Sequence, residues 1–266
     1  MDWTETLLDL HAGWVPAHQG ESGDRVFRSP DGRSYAKLAA GPRASELAGE
    51  RDRLGWLAGK SMACPDLLDW RENEHGACLV MSAVAGVPAV TLSGADLLKA
   101  WPSMAERLAA FHALPIENCP FEKNLAGMFA HAADVVARDA VNPDFLPDED
   151  KERPARELLA RVEAELPLRL AQERQDRVVC HGDPCMPNFM VDPQTLRCTG
   201  LIDLGRLGTA DRYADLTLMI ANAGENWTTA EEAEKAFDIL FATLGIEAPD
   251  RERLAFYLRL DPLTWG

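Results

Sequence analysis

His181-Gly-Asp-Pro-Cys-Met-Pro-Asn188 sets an aspartate and an asparagine five residues apart, and Asp203 follows fifteen positions after Asn188, at the end of the apolar run Gly200-Leu-Ile202. A carboxylate, a carboxamide and a second carboxylate in this order form the polar skeleton of a phosphoryl-transfer site. One carboxylate orients an acceptor hydroxyl, and oxygen ligands hold Mg²⁺, which neutralises charge developing on the phosphate. Asp183 suits the first task, Asn188 and Asp203 the second. Taken singly, Asp183 before Pro184 is also ordinary turn chemistry, and Asp203 could merely cap a turn. A strand-end aspartate near Gly205 nevertheless makes a good Mg²⁺ ligand, because glycine lets the backbone turn sharply away. His181 reads as a scaffold that holds the loop through a hydrogen bond, rather than as a base.

Such a site needs a basic residue upstream to hold phosphates. Lys37 in Tyr35-Ala-Lys-Leu38 fits, since an inward lysine on an apolar strand is costly unless paired. Glu50 is the expected partner, with Glu46, one turn earlier, as the rival; the plain alternative is a surface lysine. Gly20-Glu-Ser-Gly23 precedes this strand, and Gly20, Ser22 and Gly23 could aim backbone N–H groups at phosphates. The segment lacks both common glycine-rich nucleotide patterns.

The elements that must carry these residues follow from periodicity and turn signals. Val26–Arg28 and Ser34–Leu38 flank Pro30-Asp-Gly32 and read as a hairpin. Leu47, Leu54 and Leu57 recur on one side of a helix over 43–60. Leu67–Trp70 and Ala77–Ala83 read as strands, and Ala85-Gly-Val-Pro88 as a linker between lobes. The remainder is mostly helical, with helices expected from Ser93 to about Leu114 and over 124–141, 155–175, 211–223, 229–244 and 250–260. An acidic, proline-bearing loop covers 142–150. Short strands at Val178–Cys180, Phe189–Val191 and Gly200–Ile202 surround the polar motif. The expected fold is α+β, with an N-terminal nucleotide-binding lobe over 1–85 and a catalytic, substrate-binding lobe over 86–266.

The chain has 266 residues, 47% hydrophobic and 26% charged, which suits a soluble globular protein with ample core. No run approaches the roughly 20 apolar residues of a membrane helix, and no secretory signal is visible. Cysteines at 64, 78, 119, 180, 185 and 198 are scattered without metal-site spacing and read as reduced cytoplasmic thiols. The net charge of −16 argues against nucleic acid and anionic membrane as partners. It suits a small cationic substrate, although solubility alone is a sufficient reason for it.

Together the pieces resemble the aminoglycoside phosphotransferase family, which shares the protein-kinase fold. The matching text is His181–Asn188, Ile202-Asp-Leu-Gly-Arg-Leu-Gly208, Ala210-Asp-Arg-Tyr-Ala-Asp-Leu216 and Glu50-Arg-Asp-Arg-Leu-Gly-Trp-Leu57. The likeness runs from Gly20 to the C-terminus, and over 178–266 it is strongest to the streptomycin 3''-phosphotransferases. It implies ATP and Mg²⁺ as cofactors, Asp183 orienting a sugar hydroxyl, Asn188 and Asp203 on the metal, and Lys37 with Glu50 as phosphate clamp. Asp215 would brace the catalytic loop. Because aminoglycosides are polycations bound in the helical lobe and at the C-terminus, Asp148, Glu149, Asp150, Glu225 and Asp261 become substrate candidates. Each is equally readable as a solvated charge. Another aminoglycoside, a cationic alcohol such as choline, or a catalytically dead nucleotide-binding module are the competing readings.

Overall fold

The computed structural model describes residues 3–8, 12–17 and 24–266, so the candidate phosphate loop at Gly20, Ser22 and Gly23 lies outside the described residues. The N-terminal part is an antiparallel sheet of five strands in the order β1-β2-β3-β5-β4: β1 Val15–Pro16, β2 Arg25–Arg28, β3 Ser34–Ala40, β4 Leu67–Asn73 and β5 Gly76–Ser82. The expected hairpin joins β2 to β3. Asp31 accepts from Ser29 Oγ at 2.7 Å and Arg33 N–H at 3.0 Å, and Gly32 takes a φ of 70° that closes the turn.

Strand alternation sorts β3 into two faces. Ala36 and Leu38 pack with Phe27, Cys78 and Val80 against Leu7 and Leu8 of the N-terminal segment, where helix α1 spans Trp3–Leu7. Tyr35, Lys37 and Ala39 point the other way, towards helix α2 (Arg43–Leu57). The buried stripe of α2 is Leu47, Glu50, Leu54 and Leu57. One carboxylate thus stands in an otherwise apolar helix face, opposite the one lysine on the facing strand.

The C-terminal part is helical: α3 Gly94–His112, α4 Leu125–Ala137, α5 Ala155–Asp176, α6 Arg212–Ala223, α7 Ala230–Thr243 and α8 Arg251–Leu260. Ser93 caps α3 by accepting from Asp96 N–H, and Thr229 with Glu232 forms a reciprocal capping box on α7. Trp101, Met104, Leu108 and Phe111 form the buried side of α3, and Trp101 Nε1 donates to the Ala236 carbonyl of α7 at 2.7 Å.

Small strands place the polar motifs between the two parts. β7 (Arg177–Cys180) pairs with β10 (Gly208–Asp211), while β8 (Phe189–Asp192) pairs with β9 (Arg197–Leu201) and with β6 (Val87–Pro88). Within the expected linker, Val87-Pro88 joins β8, and Gly86, at φ 119°, lies where a Cβ would come 2.5 Å from the Val191 carbonyl oxygen. Some boundaries need correction: the strand placed at 200–202 runs from 197 to 201, α2 stops at Leu57 rather than 60, and α4 stops at Ala137 rather than 141. β1, β10 and α1 were not foreseen, being too short to show a period. No described helix is long and apolar enough to cross a membrane.

Candidate active site

The loop from His181 to Asn188 links β7 to β8, and Asp203 stands just past β9. β8–β9 pairing brings the two motifs together: Phe189 faces Leu201, and Ile202 N–H donates to the Asn188 carbonyl at 2.9 Å. Asn188 and Asp203 therefore project from the same end of one hairpin. Asn188 Nδ2 donates to the Asp183 carbonyl at 2.9 Å, which turns the amide nitrogen into the loop. Asp203 adopts left-handed backbone geometry, φ 64° and ψ 66°, before a tight turn at Leu204–Arg206.

Lys37 closes the site from the sheet. Its Nζ donates to both Glu50 oxygens at 3.0 and 2.9 Å and to Asp203 Oδ1 at 3.1 Å. Glu50, not Glu46, is thus the partner. Burial works against the Lys37 ammonium, but Glu50 and Asp203 outweigh it and hold its pKa above the ordinary value. Burial pushes Glu50 up, against the pull of Lys37. Asp203 is brought down: burial opposes ionisation, and Lys37 wins. The Glu50 side chain is 5% exposed and that of Asp203 48%, so Asp203 keeps an open side for a ligand, whereas Glu50 is enclosed between Lys37 and the Leu204 backbone N–H.

A buried carboxylate sets the loop backbone. Asp215, fully buried on α6, accepts from His181 N–H and Gly182 N–H, both at 2.8 Å, and pairs with His112 Nε2 at 3.0 Å. Gly182 is required here, because its φ is 88° and a Cβ would sit 2.1 Å from the Arg206 carbonyl oxygen. His181 is also fully buried. Its Nδ1 accepts from Asp183 N–H at 3.2 Å, so Nε2 carries the proton and donates to the Ile202 carbonyl at 3.1 Å. Burial lowers its pKa, which favours this neutral form. His181 is a tie between the two motifs.

Asp215 makes acid sensitivity testable. Burial opposes its charge, but His112 and the loop N–H groups outweigh burial and hold its pKa below the ordinary 3.8. The folded state therefore binds this proton more weakly than the unfolded chain. Its contribution is present above the ordinary carboxylate value and is lost as pH falls through the lowered one. Asp215→Asn should cost on the order of 3 kcal/mol at neutral pH. In melting curves the gap from the parent should narrow below pH ~4; a constant gap contradicts the assignment.

Beside Asp183 a cleft of about 500 Å³ opens between the start of α4 and the C-terminal turn, lined by Lys123, Asn124, His131, Arg206, Asp261 and Thr264. The Arg206 guanidinium lies 3.8 Å from the Trp265 ring centre, and Trp265 Nε1 donates to Asp261 at 3.1 Å. Burial raises the Asp261 pKa and nearby Asp183 adds to it, against Lys123 and Arg206. Cys185 sits by the same carboxylates; burial and then Asp183 drive its thiol pKa far up, so it stays protonated.

The other substrate candidates are placed differently. Asp148 is exposed and pairs with Lys151 at 2.7 Å; Asp150 pairs with Arg153 at 3.1 Å and Arg161 at 3.4 Å. Glu149 is exposed beside them. Their contacts tie this loop to the start of α5, not to residues 181–188. Glu225 is exposed in the turn after α6, three residues beyond Asn222, whose Oδ1 accepts from Met186 N–H at 2.6 Å. Sequence reasoning missed His112, Lys123 and Asn222, and gave no role to Arg206. Arg206 stood inside a quoted motif, and His112 stood on the inner face of α3; Lys123, in a loop without period, left no signal.

The profile of the phosphotransferase enzyme family matches residues 13–257. The streptomycin 3''-kinase of Streptomyces griseus is 49% identical over 99% of this chain and 96% of its own. An aminoglycoside 3'-phosphotransferase of Streptomyces fradiae is 36% identical over 94% and 95%. Aminoglycoside phosphotransferase APH(3'')-Id from Streptomyces rimosus, solved in complex with ADP and streptomycin, superposes with a TM-score of 0.92 at 47% identity, covering all of both chains.

Proposed function

The chain belongs to the aminoglycoside phosphotransferase family, and on that premise we propose that it moves the γ-phosphoryl group of ATP to the 3''-hydroxyl of streptomycin, inactivating the drug. The acceptor assignment is carried by the 49% identity, over nearly the whole of both chains, to a streptomycin 3''-kinase. The reaction class is supported independently by Lys37, Glu50 and Asp203 meeting next to the Asp183 loop. Phosphate adds negative charge and bulk to the drug.

In this reading Asp183 accepts a hydrogen bond from the acceptor hydroxyl, turns its oxygen towards the phosphorus and takes its proton as the bond forms. Lys37, steadied by Glu50, holds the nucleotide phosphates. The oxygens of Asn188 and Asp203 fit Mg²⁺, a hard cation that prefers oxygen donors, and the open side of Asp203 suits it. When bound, Mg²⁺ neutralises phosphate charge. Asp261, at the cleft beside Asp183, is the substrate candidate best placed to meet a guanidinium of streptomycin. Asp148, Glu149, Asp150 and Glu225 would act further out, as part of the acidic field that draws in a polycation. Gly20, Ser22 and Gly23 remain the candidate phosphate loop.

We also place the lobe boundary at residues 85 and 86, where Gly86 packs against β8, and the reaction in the cytoplasm, where ATP is available and the six free cysteines stay reduced. Purified protein with ATP, Mg²⁺ and streptomycin should release ADP in a coupled assay, and phosphorus NMR should locate the phosphate on the 3'' oxygen. Turnover of kanamycin or choline without streptomycin turnover would defeat the acceptor assignment and leave the family membership standing.

A further inference from the structure

Lys123 lies outside every motif quoted above, yet its side chain ends at the catalytic loop. Phe121-Glu-Lys123 runs beside β10: Thr209 N–H donates to the Phe121 carbonyl at 2.8 Å, Lys123 N–H donates to the Thr209 carbonyl at 3.0 Å, and Glu122 bridges Thr209 in parallel. Gly208 permits the approach, since a Cβ there would stand 3.1 Å from Lys123 N and 3.2 Å from the Glu122 carbonyl carbon. The second glycine of Ile202–Gly208 thus has a reason in packing. With its backbone fixed, Lys123 reaches across and Nζ donates to the Gly182 carbonyl oxygen.

That carbonyl belongs to the peptide that leads into Asp183. The N–H of the same peptide donates to His181 Nδ1 at 3.2 Å, and the preceding N–H groups are held by Asp215. We propose that Lys123 is a positioning residue of the phosphotransfer site: its ammonium fixes the Gly182–Asp183 peptide, and with it the direction of the Asp183 carboxylate. The proposal rests on the role given to Asp183 above. Two neighbours hold the loop backbone, Asp215 through the N–H groups and Lys123 through the carbonyl. Burial and then Arg206 lower the Lys123 pKa, while the carboxylates of Asp261, Asp183 and Asp215 favour its ammonium form. A charged donor matters because such a bond is roughly twice as strong as a neutral one.

The test compares Lys123→Met, which keeps length without charge, with Lys123→Arg. The Met variant should lose about ten- to a hundredfold in kcat, the range for one charge-assisted hydrogen bond. Its KM for ATP should stay within about twofold of the parent's, and Arg should restore most of kcat. Hydrogen exchange, followed on the peptide spanning 181–188 without any substrate, should be faster in the Met variant and near normal in the Arg variant. Unchanged exchange or undiminished kcat in the Met variant overturns the proposal. So do equal losses in both variants with KM for ATP rising in step, since those mark a general loss of packing. Lys123→Gln takes the place of Met if that variant does not fold. A parent enzyme inert to streptomycin defeats the acceptor assignment instead, and the exchange comparison then decides the role of Lys123.

Discussion

Asp183→Ala is expected to lower kcat by about a thousandfold or more while the protein still folds, because a positioned general base contributes on the order of 10²–10⁴. Apart from a hydrogen bond from the Cys185 thiol to its carboxylate, the bonds that shape this loop through residue 183 are made by its backbone: the N–H to His181 and the carbonyl from Asn188. Removing the carboxylate leaves both in place. The side chain is half-buried, with the Lys123 ammonium, the Cys185 thiol and Asp261 in its electrostatic surroundings, so its loss also relieves the like-charge repulsion with Asp261. Turnover and a thermal melt on the same preparation decide the matter. A variant that keeps more than roughly a hundredth of the parent's turnover removes Asp183 from the role of base.

Lys37→Met should damage both activity and stability. It strips the ammonium that bridges two carboxylates, one of them buried at 4% exposure. Breaking a buried pair from one side costs about 3–5 kcal/mol, because the remaining charge is left without a partner. Transfer efficiency with ATP should fall on the order of a hundredfold or more, as when one preorganised donor to a developing charge is removed. The pH dependence has a definite sign. Burial already raises Glu50 above its ordinary 4.5 with Lys37 present, and without Lys37 it goes further up. A carboxylate whose folded pKa is raised favours the fold when protonated and loses that advantage as pH rises through the raised value. The variant should therefore lie nearest the parent in stability in acid and furthest from it at neutral pH. A denaturant titration at several pH values shows this directly, and a gap that widens in acid contradicts it.

Long elements with clear periods were legible from sequence. The leucines of α2, the Ser93 cap on α3 and the capping box of α7 all stand where propensity and spacing put them. So did the pairing of Lys37 with a carboxylate, since neither group could be buried alone on an apolar face. The choice of Glu50 over Glu46 needed the helix phase: residues 47, 50, 54 and 57 share the buried stripe, whereas 46 does not. Tertiary neighbours were not legible. His112 and Asp215 lie 103 residues apart, and nothing local in either segment announces their contact. Lys123 sits in an irregular loop whose position comes from β10, a strand of four residues too short to show alternation. In the acidic loop at 148–150, conspicuous in the sequence, the local ion pairs of Asp148 and Asp150 with lysine and arginine were likewise not legible.

Asp203 places two unrelated demands on one codon. Its backbone is left-handed, a region that costs most side chains about 1–2 kcal/mol and that glycine, asparagine and aspartate tolerate best. Its carboxylate is paired with Lys37 and open on the other side. Glycine and asparagine satisfy the first demand and fail the second; glutamate satisfies the second with a longer reach and fails the first. The acceptable alphabet at this position therefore shrinks to a single letter. In a resistance selection over every substitution, position 203 should be invariant even where Glu, the gentlest chemical change, is among the options. A lineage drifting under drug pressure would have no neutral path through it.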